Sequence, residues 1–228
     1  MASSSTSPGL DAPGLFNNPA LSDIKLIQVW KGQKKEYHAH RQILAGQSQY
    51  FRNAFAGNFK EATATEITLH DDDPELFEIL LKFVYTAVYD TKAIETYSSM
   101  QFKALKETSR SLSNCTIDSM VGLAILSDKY DFSRINEHIA LHFSNFFVGV
   151  SSWGQEACWK RAVTGYFSAI PRHNTPFGLA IAGVALEEIR GKESWESGKK
   201  LIKEFGAFGA DLGFVACEQQ SLYAFTRK

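Results

Sequence analysis

Residues 37–61 read YHAHRQILAGQSQYFRNAFAGNFKE, and the rest of the chain is organised around them. The stretch opens on the end of a charged, extended segment. Apolar residues then change to helical spacing, most clearly at Phe51, Ala54 and Phe55. Ser48 stands just before that run, where its hydroxyl can accept from the unpaired amides of a first helical turn. The pattern predicts a strand end, a tight pair of short helices and a loop closing on Phe59-Lys60-Glu61.

Upstream, Asp23 to Trp30 (DIKLIQVW) is branched and aromatic on both faces, as a strand in a sheet interior would be. Lys31-Gly32 supplies a turn and Gln33 to His38 returns as a polar partner, which together predict a hairpin. Downstream, Glu66 to Leu69 predicts a third short strand. Asp73 can cap the next helix, and Pro74 suits its first position, where an amide would be unpaired in any case. Leu76, Phe77, Leu80, Leu81 and Val84 give that helix one apolar face. Ile117, Met120, Val121 and Ala124 predict a further helix ending at Lys129-Tyr130. Ser133 can cap another, whose core side is Ile135, Ile139, Phe143 and Phe146 or Phe147.

With these flanks the opening stretch resembles the BTB/POZ family. The resemblance runs through Leu21-Ser22-Asp23-Ile24, His38-Ala39-His40-Arg41, Ile43-Leu44-Ala45, Ser48, Tyr50-Phe51, Phe55, Phe59 and Glu61. It continues through Ile67, Leu69, Asp73-Pro74, Phe77 and Phe83-Val84-Tyr85-Thr86, with a second block at 123–135, LAILSDKYDFSRI. It implies an α+β fold: a small three-stranded sheet packed on a cluster of helices, followed by an all-helical C-terminal extension. The expected organisation is a disordered tail over 1–18, a BTB/POZ domain over 19–150 and the helical extension over 151–228. Residues 89–115 depart from the family's compact form and are expected to be an insertion, either flexible or carrying a helix around Met100 to Leu105. In the extension, helices are predicted near Gln155 to Ala169, Phe177 to Arg190, Ser197 to Phe205 and Leu212 to Phe225. Leu15-Phe16 is a candidate anchor for the tail.

Composition narrows the function. An apolar share of 44% over 228 residues is enough to build a core. The formal net charge of -1 and the lack of a long Lys/Arg run argue against a direct nucleic-acid partner. Cys115, Cys158 and Cys217 are far apart and form no CxxC pair, which fits a reducing compartment and neither a disulfide framework nor a zinc site. Residues 1–13 lack the apolar segment of a secretion signal, so cytoplasm or nucleus is expected. The most apolar run, Phe177 to Leu186, is about half the roughly 20 residues that span a bilayer; it predicts a buried helix and no membrane association.

Candidate chemistry is sparse. His38 and His40 are only two of the about four convergent ligands that a structural zinc site needs, so no metal is expected there. His138 and His142 have helical spacing, but Ile139 stands where a metalloprotease carries its glutamate. Gly206, Gly209 and Gly213 match neither a dinucleotide nor a P-loop pattern and predict turns or close helix packing. Asp71-Asp72-Asp73 predicts a solvated loop plus a cap. No metal, cofactor or catalytic set is expected; an enzyme would need a deep polar pocket around a group such as His173.

Two groups acquire a role through the resemblance. Asp23 and Arg41 match an acidic and a basic position that face the dimer groove in many BTB domains. Phe59-Lys60-Glu61 matches the hydrophobic-x-Glu motif that BTB adaptors present to a cullin scaffold, an apolar anchor with a polar neighbour that fixes register. His40 matches a structural residue at the strand-to-helix junction. The resemblance therefore implies protein–protein interaction without catalysis: a homodimeric substrate adaptor of a cullin-RING ubiquitin ligase, or alternatively a homo-oligomerising scaffold or transcription-related regulator with no ubiquitin role. Kelch repeats, a MATH sandwich and zinc fingers are not recognisable, so recruitment of other proteins falls to the C-terminal helices or the insertion.

Overall fold

A computed structural model describes residues 13–57, 59–104, 111–149, 155–189 and 192–226. The tail expected over 1–18 is described only from residue 13, and residues 105–110 of the expected insertion also lie outside these ranges. Contacts divide the chain into two compact units, residues 1–90 with 126–135 and residues 91–125 with 136–228. The division does not follow the boundary expected near residue 150.

The first unit is built on a sheet of order β2-β1-β3, with β1 (Ile24–Trp30) in the middle. β2 (Gln33–Ala39) runs antiparallel to it, in a register from Ile24↔Ala39 to Trp30↔Gln33. The joining turn holds Lys31 at φ 48° and Gly32 at φ 81°, both left-handed, which matches the twist of the strands it connects. β3 (Glu66–His70) pairs parallel to β1, from Lys25↔Glu66 to Val29↔His70. Parallel neighbours need a crossover, and the chain spends it on α1 (Arg41–Gln47) and α2 (Gln49–Ala56). α3 (Pro74–Thr86) follows; the Asp73 carboxylate accepts from the amides of Glu75 (3.0 Å) and Leu76 (3.2 Å), as the sequence predicts.

Phe51 is the hub of this unit. Its ring stacks on Tyr130 at 5.8 Å and meets Phe132 and Phe55. Leu26, Tyr37, Leu44, Phe77 and Leu80 are also buried in this unit. At ~25 cal/mol per Å² of apolar surface, each such side chain stabilises the unit by roughly 1.5–3 kcal/mol. Leu15-Phe16 does anchor the segment before β1: the Phe16 ring lies edge-on to Tyr85 at 6.0 Å, and the Asn17 side chain accepts from the His38 amide.

Helices make up the second unit. α4 (Thr91–Ala104) falls inside the expected insertion but starts well before Met100. Its contact face is narrow and part polar: Ile94 and Ser98 are buried, and the Ser98 hydroxyl bonds both the Ile94 carbonyl and Ser119 Oγ. A serine that packs in this way does not register as apolar periodicity. α5 (Leu112–Lys129) and α6 (Arg134–Gly149) follow, with Ile139, Phe143 and Phe147 buried as predicted. α7 (Gln155–Ala169), α8 (Pro176–Ile189), α9 (Lys192–Glu204) and α10 (Gly206–Thr226) complete it. α8 is the central helix, buried at Phe177, Ile181, Ala182, Ala185 and Ile189 and touching α7, α9 and α10. Gly206, Gly209 and Gly213 lie in α10 and form no turn. Gly209 lies against Ile202, where an added Cβ would stand 3.1 Å from the isoleucine's Cγ2. Among the described residues no helix is long and apolar enough to cross a membrane.

Candidate functional site

The loop between α2 and β3 carries the most exposed aromatic side chain of the first unit's described residues. α2 ends at Ala56, and Gly57 closes it with its amide on the Asn53 carbonyl. The φ of Gly57, −86°, is ordinary, and what the missing side chain permits is close contact: a Cβ would stand 2.8 Å from Phe59 Cδ2 and 3.0 Å from the Asn53 carbonyl oxygen. The Phe59 ring thus rests on a bare α-carbon while remaining 64% exposed. A single 3-10 turn, Lys60–Ala62, follows, closed by the Ala62 amide on the Phe59 carbonyl at 3.0 Å. Lys60 is exposed and Glu61 half-buried.

Tyr50 stands beside this loop with 42% of its surface exposed, its ring edge-on to Phe51 and Tyr130. Burial raises its hydroxyl pKa, and the carboxylates of Glu61 and Asp72 add to the shift. The surface therefore offers two aromatic rings, one resting on a glycine, with a carboxylate in electrostatic reach of the second.

Asp23 and Arg41 prove to belong to the same construction. Asp23 Oδ1 accepts from the Arg41 amide at 2.8 Å, holding the first turn of α1. The Arg41 guanidinium lies over the Phe55 ring at 4.7 Å and donates to the carbonyls of Glu61 (3.1 Å), Ala62 (3.2 Å) and Ala64. One fork thus binds three carbonyls of a four-residue span, the planar multidentate geometry that distinguishes arginine from lysine. Sequence reasoning places these five residues in two separate sites; the structure links them through Arg41. Gly57, Tyr50 and Phe55 are the members it misses. A glycine two residues before an apolar loop residue is the signal that points to the first.

His40 is buried at the junction of β2 and α1. Its ring nitrogens face the Tyr85 hydroxyl and the Ala20 carbonyl, each at 3.0 Å, and the same hydroxyl accepts from the His40 amide. Burial pushes the Tyr85 pKa up to about 12, with the Asp23 carboxylate acting in the same direction against the His40 amide bond. His38, one residue earlier, is only half-buried.

Asp72 corrects the expectation of a solvated acidic loop. It is 3% exposed; its carboxylate accepts from the Tyr130 hydroxyl and from Lys129 Nζ (2.6 Å), and its carbonyl accepts from Gln28 at 3.4 Å. Burial and this carboxylate together drive the Tyr130 pKa well above its ordinary value. The network ties the end of β3 to Lys129 and Tyr130 and is structural.

In the second unit, a shallow groove of about 430 Å³ is lined by Asp118, Ala157, Lys160, Arg161, Thr164 and Gly165. Its charges are paired: Arg161 grips Asp118 through Nε (2.5 Å) and a terminal nitrogen (2.6 Å), and Lys160 meets Glu156. His173 does not line it.

The sequence profile of the BTB/POZ domain matches residues 14–117. Kelch-like ECH-associated protein 1A of Danio rerio is 25% identical over 142 residues, 57% of this chain and 24% of that protein. Kelch-like protein 21 of Homo sapiens is 34% identical over 106 residues, 44% of this chain and 17% of the relative. BTB/POZ and MATH domain-containing protein 5 of Arabidopsis thaliana is 32% identical over 101 residues, 44% of this chain and 23% of that protein. The chain spans less than a quarter of the length of these relatives. With the three-stranded sheet, the helical crossover and the profile in agreement, residues 14–117 are a BTB/POZ domain, a protein-interaction module, and further helices follow it in the chain.

Proposed function

We propose that this protein is a substrate adaptor of a cullin-RING ubiquitin ligase, docking a cullin through Phe59, Lys60 and Glu61. The observation that carries the reading is the exposed Phe59 ring, supported on Gly57 beside Tyr50 and Glu61. An aromatic anchor resting on main chain, with a carboxylate near it, has the anatomy of an interface hot spot with a polar rim. In this reading the helices after residue 150 and the segment 89–115 offer surfaces to other proteins, and the role is one of binding without catalysis. The double variant Phe59→Ala/Glu61→Lys is expected to abolish binding to a cullin N-terminal domain while unfolding shifts by less than about 1 kcal/mol, as surface changes do. Unchanged binding would overturn this use of the loop.

The second reading is a self-associating scaffold without ubiquitin chemistry. Leu21 supports the self-association it needs, which the adaptor reading shares: the side chain is 86% exposed, its backbone is left-handed at φ 61°, and it adjoins the exposed Asp23 at the expected dimer groove. Affinity purification read by mass spectrometry separates the two. A cullin and its ligase partners support the adaptor; copies of this chain with no cullin support the scaffold.

A further inference from the structure

We infer that Arg41 is a positioning residue for the docking loop, setting the presentation of Phe59 and Glu61 from beneath. The inference rests on the proposed docking role of that loop, but its first arm is independent of any partner.

The loop between α2 and β3 has few means of holding itself. Its one regular element is the 3-10 turn, and its Phe59 and Lys60 side chains are exposed. Both ends are fixed, by the Gly57 amide on Asn53 and by the Lys25 amide on the Thr65 carbonyl at 2.9 Å. Between them the carbonyls of Glu61, Ala62 and Ala64 all converge on the Arg41 guanidinium. The fork is itself held: Phe55 lies under its plane, and Asp23 fixes the Arg41 main chain by the 2.8 Å bond to its amide. Glu61 contributes its own carbonyl to Arg41, so moving the guanidinium reorients the residue whose carboxylate sits near Tyr50. An interface loop held in one conformation before binding loses less freedom on association. Arg41 therefore acts on partner affinity without touching the partner.

The test is Arg41→Met, which keeps an apolar stem over Phe55 and removes the fork, read by hydrogen exchange and by affinity for a cullin N-terminal domain. Exchange at amides 59–65 is expected to rise at least tenfold while β1 and α3 stay protected, and affinity to fall at least tenfold with an unchanged unfolding midpoint. Arg41→Lys, which retains charge but offers a single ammonium, is expected to lose at least threefold in both readouts; it decides the matter should the methionine variant fail to fold. Unchanged exchange in 59–65 overturns the positioning role, and so does faster exchange with wild-type affinity. A wild-type chain that binds no cullin removes the proposed docking function alone, because the exchange arm still judges Arg41.

Discussion

Ser48 Oγ makes two bonds of opposite sense. It accepts from the Phe51 amide at 3.0 Å, capping α2, and donates to the buried Tyr130 carbonyl at 2.6 Å. The first was legible in the sequence, since a serine ahead of a helical apolar run is a cap by its chemistry. The second was not, because Tyr130 lies 82 positions away and backbone carbonyls leave no mark in a sequence. Ser48→Ala is expected to destabilise the first unit by about 2–3 kcal/mol, combining a lost cap with an unsatisfied buried carbonyl. Urea unfolding measures it, and a change below about 0.5 kcal/mol would reduce Ser48 to a minor role. Asp72 makes the same point in reverse: three consecutive aspartates suggest solvent, and only the tertiary arrangement shows that the middle one is enclosed by Lys129 and Tyr130.

Among the elements, strands and apolar-faced helices were the readable part. Asp73-Pro74 fixes the start of α3, and the branched residues of Asp23 to Trp30 identify the central strand, although no local signal shows that β3 joins it in parallel. The helices whose limits moved most, α4, α9 and α10, bury Ile94, Leu201, Phe208 and Leu212 but also pack through small or polar residues. Gly198 lies against Ile189, Gly209 against Ile202 and Gly178 against Asp211, contacts that apolar periodicity does not record. The last is the most consequential. Asp211 on α10 is 1% exposed and accepts from the Asn174 amide, while its second oxygen has no hydrogen-bond partner among the described residues. Burial raises its pKa above 3.8, against the Asn174 bond and the charge of His173. A group whose folded pKa is raised adds stability below its unfolded value, and that contribution is lost as pH rises through the folded value. Asp211→Asn should abolish this loss, leaving a variant at least as stable as wild type at pH 7. Urea midpoints taken from pH 4 to 8 would show it as a difference growing with pH; a variant less stable at pH 7 would contradict the assignment.

For the whole molecule, the fold class follows from so many residues falling in one order, and the helical extension follows from the apolar runs after residue 150. The division into compact units was beyond reach, because it depends on which contacts 91–125 makes, and helical periodicity shows that a face is buried but not against what. Both functional readings expect a homodimer, and Leu21 is the residue most exposed to the question. A left-handed leucine costs roughly 1–3 kcal/mol where nothing compensates. Light scattering is expected to give twice the monomer mass, and Leu21→Glu to return it to one; a monomer at high concentration would count against the groove.

The contact between Phe59 and the bare α-carbon of Gly57 has a thermodynamic corollary. Immobilising a free side chain at an interface costs about 0.5–1.5 kcal/mol, and a ring already leaning on the main chain has surrendered part of that freedom during folding. Whatever polypeptide settles on this loop thus meets an anchor whose rotameric disorder was spent in advance, and the saving appears as slower dissociation.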